Sequence, residues 1–148
     1  MRIRYILASL VLTLASAGAV AVAADAAGSA TVHARHAKIG TFVVDAKGMS
    51  LYLFEKDKGG KSACYGACAK VWSPLIVKSK PTAGSGLKAS LLSTTTRTGG
   101  AKQVTYGGHP LYHYDDDKKA GQTKGQGANA FGAKWYVVGT AGKKIDST

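Results

Sequence analysis

Acidic residues and cysteines are few in this chain. Eight Asp and Glu oppose twenty Lys and Arg, and only two Cys occur in 148 residues. No Cys precedes Cys64, so no thiol lies near the N-terminal segment to accept a lipid. Glu and Leu are sparse beyond that segment, and no long apolar period of 3.6 residues runs through it, which argues against a helical bundle. Arginine is nearly missing, with only Arg35 and Arg97 after Arg4. Nucleic-acid sites use Arg forks and aromatic stacking in one place, so this scarcity argues against nucleic acid as a partner. There is no G-x-S-x-G nucleophile elbow. "DDDKKAG" lacks the alternating oxygen ligands of a calcium loop and reads as a solvated turn. "GQGANA", residues 125–130, fits a loose glycine string, but no hydrophobic strand precedes it, so a dinucleotide loop is rejected.

The N-terminus has a clear pattern. Arg2 and Arg4 precede an uncharged run from Tyr5 to Ala24, and Ala21 and Ala23 fit a signal-peptidase site. The rival, an uncleaved anchor, is disfavoured because the second half of the run is mostly Ala, Gly and Ser, only weakly apolar. Residues 1–23 are therefore expected to be a signal peptide, with the mature chain starting near Ala24 or Ala27. Residues 24–148 would form one domain, secreted or periplasmic, with no stable membrane span. Removing Arg2 and Arg4 leaves 18 basic against 8 acidic residues, a net charge of +10. Sixteen of the 18 are Lys, scattered beside turn residues. Such a balance favours an anionic envelope component or polyanion as partner.

Two stretches carry a repeat. In "GMSLYLFEKD" and "GHPLYHYDDD", Gly48, Leu51, Tyr52, Phe54 and Asp57 align with Gly108, Leu111, Tyr112, Tyr114 and Asp117 at a constant offset of 60. Trp72 and Trp135 follow 15 and 18 residues after the respective Asp, which places a three-residue insertion in the second copy. Short apolar runs bounded by Gly, Asp or Lys read as strands and turns. Hairpins are expected at Asp45–Gly48, Gly99–Gly100 and Gly107–Gly108, with "VWSPLIV" and "KWYVV" closing each unit. Helical turns are expected only near "CYGACAKVW" and "GLKASLLS". Residues 24–37 and 141–148 read as loose ends and "KSKPTAGSG" as a linker. The fold class is thus mostly β: two tandem hairpin-based repeats, about 38–77 and 98–138, in one small domain. Each is too small to bury a core alone. Leu51, Phe54, Trp72, Leu111, Tyr114 and Trp135 should pool into one.

The doubled Tyr-x-(Phe/Trp/Tyr)-x-x-Asp pattern, with Gly and Leu before it and Trp after, resembles the secreted-repeat family of predicted bacterial lipoproteins. The likeness covers roughly residues 38–138 and includes "CYGACAKVWSPL" and "QVTYGGHPLYHYDDD". It implies an exported bacterial protein and no particular activity. This chain departs from the lipoprotein members in having no lipidation cysteine.

Strand alternation puts Tyr52 and Phe54 on one face and Leu51 and Leu53 on the other. Tyr112 and Tyr114 likewise face together. Asp57 and Asp117 fall just beyond their strands, where a carboxylate accepts backbone N–H groups of the turn. The motif therefore reads as structural, with a shared Tyr/Asp groove as the functional rival. On this reading Tyr112→Phe should be nearly silent, losing about 0.5–1.5 kcal/mol at most. Cys64 and Cys68, in an exported chain, are expected to form a disulfide. Counting back from Trp135, Phe131 replaces one of them and should be buried. The rival is a copper or thiol-redox site using Cys64, Cys68, His109 and His113, since C-x-x-x-C with a distant His resembles the copper site of cytochrome-oxidase assembly chaperones. Against it, Ala69 stands where those chaperones have Pro. Only Glu55, Asp57 and Asp115, Asp116 or Asp117 offer a carboxylate pair for acid–base work. The resulting expectation is an exported, non-enzymatic binding or structural module without cofactor.

Overall fold

The computed structural model describes residues 31–146. The expected signal peptide lies outside that range. The first hairpin joins β1 (Val32–Ala37) to β2 (Gly40–Asp45) in register Val32↔Asp45 to Ala37↔Gly40. β1 corrects the reading of residues 24–37 as loose over Val32–Ala37, while residues 24–30 lie outside the described range. Its sequence, VHARHA, is an edge strand in which only Val32 is buried, so the polar side chains hid it. The second copy repeats the hairpin with β6 (Leu92–Thr96) and β7 (Lys102–Tyr106), joined by the turn containing Gly99 and Gly100.

Asp45 closes the turn after β2 by accepting the N–H groups of Lys47 and Met49 on Oδ1. The chain bridges back at Val44↔Ser50 and then leaves β2 to form β3 (Tyr52–Phe54). In the second copy, Gly107 and Gly108 turn β7 into β8 (His109–Pro110), after which β9 (Tyr112–Tyr114) leads away. Gly107 is required: a Cβ there would lie 2.4 Å from the Gly142 carbonyl oxygen. The closing strands are β4 (Trp72–Pro74), running on into β5 (Ile76–Val77), and β11 (Ala133–Val137), preceded by β10 (Asn129–Ala130). The helical content is one turn, α1 (Ala67–Val71), and a 3-10 turn at Ala89–Leu91. No helix among the described residues is long and apolar enough to cross a membrane.

The closing strands change partners. The central sheet runs β10-β11-β3-β9-β4, so the first repeat's closing strand pairs with the second repeat's motif strand, and the reverse. At its centre Tyr52 faces Tyr112 across the antiparallel pair. On either side the register is equivalent: Trp135↔Phe54 and Val137↔Tyr52 on one flank, Trp72↔Tyr114 and Pro74↔Tyr112 on the other. Equivalent residues facing across an antiparallel pair define a local pseudo-twofold axis. The exchange continues outward, with Ile76 opposite Gln103 and Gly139 opposite Phe42.

The core is two clusters rather than one. Tyr52, Phe54, Trp72, Tyr112 and Trp135 pack on one face. Leu51, Leu53, Leu111, Val104 and Tyr136 pack on the other. A strand covered on both faces has no polar side, which explains the unbroken apolar run Leu51–Phe54. On the first face, Tyr114, Trp72, Trp135 and Phe54 form one stack, with successive centroids 4.2, 4.0 and 4.0 Å apart. Tyr52 and Tyr112 meet the two Trp rings edge-on. Aromatic pairs of this kind add about 0.5–1.5 kcal/mol beyond their area burial. Gly125 lets the chain cross this stack: a Cβ there would sit 2.6 Å from the Trp72 ring. The C-terminal segment is also tied down, as Ile145 donates its N–H to Val137 and packs on the aromatic cluster.

Candidate functional site

The motif residues meet as crossed pairs. The Tyr52 hydroxyl donates to Asp117 Oδ2 at 2.6 Å, and the Tyr112 hydroxyl donates to Asp57 Oδ2 at 2.8 Å. Each aspartate uses its other oxygen on its own turn: Asp57 Oδ1 accepts Ala63 N–H, and Asp117 Oδ1 accepts Lys124 N–H. The expected turn contacts are therefore present, and a bond to the other repeat is added to each. Nothing in the linear sequence reveals that crossing, because the partners are 65 and 55 residues apart. Tyr52, Phe54, Tyr112 and Asp117 are buried. Asp57 is half-buried, and desolvation raises its pKa to about 6 against the bonds from Ala63 and Tyr112, which lower it. Burial also pushes both phenols upward, with the neighbouring carboxylates adding to the shift.

Cys64 and Cys68 are joined in a disulfide, with Cα atoms 5.3 Å apart. The residue equivalent to Cys68, Phe131, is not buried as expected. It sits exposed at the turn between β10 and β11 with a positive φ of 57°. Around the disulfide lies a polar cluster that sequence reasoning missed. Buried Arg97 donates to Ser62 Oγ, Gln103 Oε1 and the Cys64 carbonyl, and its guanidinium lies over the Tyr65 ring. Ser62 Oγ also lies 2.7 Å from the Tyr112 hydroxyl, whose own proton goes to Asp57, so the serine is the donor there. The one available signal was the isolation of Arg97 as one of two arginines in residues 24–148. Guanidinium groups are favoured where a buried cation must satisfy several acceptors.

The four residues of the copper reading do not form one cluster among the described residues. The two sulfurs bond to each other, His113 Nε2 lies 2.9 Å from Asp45 Oδ2, and His109 stands apart. His109 lines a groove of about 490 Å³ together with Glu55, Asp57, Lys143 and Lys144. Burial lowers the His109 pKa. This groove brings a histidine together with two of the carboxylates considered for acid–base work, Glu55 and Asp57. Its carboxylates are already engaged: Lys144 Nζ lies 2.8 Å from Glu55 Oε1, and both Asp57 oxygens accept bonds. Asp115 and Asp116 are exposed, near Lys118 and Tyr114 respectively. The surface has a different character. All sixteen lysines from Lys38 to Lys144 are exposed, and the ion pairs among the described residues use only Lys118 and Lys144.

A family model described as a secreted repeat of unknown function matches this chain twice, at residues 34–76 and 93–139. Each match takes in one hairpin, one motif strand and one closing strand. No curated protein and no solved structure matches the chain.

Proposed function

Because the chain belongs to the family of secreted repeats of unknown function, we propose that it is an exported, non-enzymatic module that attaches to an anionic component of the cell envelope or its surroundings. The observation that carries this reading is the exposure of all sixteen lysines on a body whose motif residues largely face inward. The Tyr/Asp motif supports a scaffold role, since its hydroxyls and carboxylates bond one another across the repeats. Its hydroxyls and carboxylates are engaged with one another and with the turns, whereas among the described residues only Lys118 and Lys144 of the lysines are held in ion pairs. A surface of one dominant sign raises the local concentration of oppositely charged partners and binds them in a salt-dependent way.

The test uses the mature chain and beads coated with anionic or neutral polymer. Saturable retention on the anionic beads, reversed by added salt, is expected. Equal retention on both coatings, or none on either at low ionic strength, would overturn the proposal.

A further inference from the structure

We propose that one face of the molecule holds a dedicated groove for a linear phosphate-bearing polymer, formed between the linker and the β5-β7-β6 sheet; this rests on the anion-binding reading above. Two neighbouring grooves of about 320 and 330 Å³, both lined by Lys80, Pro81 and Leu92, together make up this site. Lys78, Lys80 and Lys102 line it, with the hydroxyls of Ser79, Ser93 and Thr94 between them. No carboxylate lines it among the described residues. The surrounding sequence is equally one-signed: from Lys58 to Tyr114 there are seven Lys and one Arg but no Asp or Glu.

The internal symmetry supplies a comparison. Gly139 faces Phe42 as Ile76 faces Gln103, so strand register puts Thr41 at the position equivalent to Lys102. The same strand position is therefore built in the other repeat without a lysine, so folding does not demand the Lys102 charge. Ammonium groups act as point charges and suit phosphate oxygens without fixing a two-point geometry, and hydroxyls add donors around them. Among the described residues no aromatic side chain lines the groove, and single-stranded nucleic acid is held by stacking its bases on such rings. The occupant is thus a base-free polymer of repeated phosphate groups.

The experiment titrates the mature protein with sodium polyphosphate at several salt concentrations. It compares two triple variants of equal charge, Lys78→Gln/Lys80→Gln/Lys102→Gln and Lys56→Gln/Lys61→Gln/Lys134→Gln, both checked for unchanged thermal unfolding. Losing three phosphate contacts should lower the slope of log K against log salt by about two, at roughly 0.7 per contact as for single strands. The second triple should keep most of that slope, and monomeric phosphate should not compete. Equal losses in the two triples would overturn the groove while leaving the anion-binding reading intact. Binding to other anionic beads but not to polyphosphate would overturn the phosphate class. Tighter binding of a single-stranded oligonucleotide of matched charge would replace it with nucleic acid. Failure to bind any anion would remove the underlying reading as well.

Discussion

A buried tyrosine hydroxyl needs a partner, and Tyr52 and Tyr112 each find one in the opposite repeat. From sequence, Tyr112→Phe looks nearly silent because it keeps the ring and loses one hydrogen bond; with Asp57 and Ser62 both bonded to the phenol, a measurable loss is expected. Tyr52→Phe removes the donor from a buried carboxylate, and such bonds are worth about 1.5–3 kcal/mol. Urea denaturation should show a loss in that range for Tyr52→Phe and a smaller one for Tyr112→Phe, whose aspartate is nearer solvent. Asp57 also predicts a pH dependence. Its folded pKa of about 6 lies above the ordinary 3.8, so the folded state binds the proton more tightly. Its contribution is fully present below about pH 4 and is lost as pH rises through about 6. The stability difference between wild type and Asp57→Asn should shift across that window, with wild type gaining on the acid side. A difference independent of pH would contradict the assignment.

At the scale of elements, the turns were legible because glycine marks them, and the two-face reading of Leu51–Phe54 holds in the two clusters. Strand partners were not legible. The closing strands have the same apolar pattern whichever motif strand they join, so only three-dimensional packing reveals the exchange. The exchange brings Trp72 and Trp135 together, stacked 4.0 Å apart at 6°. Trp72→Ala or Trp135→Ala should each cost about 3–5 kcal/mol. Since the rings touch, the double variant should cost less than the sum, measured by the same denaturation. The disulfide closes so short a loop that its stabilisation belongs at the low end of the roughly 0–5 kcal/mol range. Non-reducing mass spectrometry of freshly isolated protein should find two protons missing and no alkylatable thiol. Two free thiols would return weight to the copper or redox reading.

Across the whole molecule, the sequence repeat and the folding unit are different things. Each match to the family covers one copy, yet the central sheet pairs each copy's motif strand with the other's closing strand. Each copy keeps its own hairpin, but neither can pair its motif strand with a closing strand or complete the ring stack without the other. The conspicuous Tyr and Asp residues thereby bond the two copies to each other. The candidate groove was illegible in advance because Lys78, Lys80 and Lys102 look like ordinary turn and edge lysines until the linker folds against β6. The crossed pairing is tested most directly by a double-mutant cycle in stability on Tyr52→Phe and Asp117→Asn, run beside one on Tyr52→Phe and Asp57→Asn. The account predicts a coupling of about 1–3 kcal/mol for Tyr52 with Asp117 and almost none for Tyr52 with Asp57. Additive losses in the first cycle, or strong coupling in the second, would contradict it.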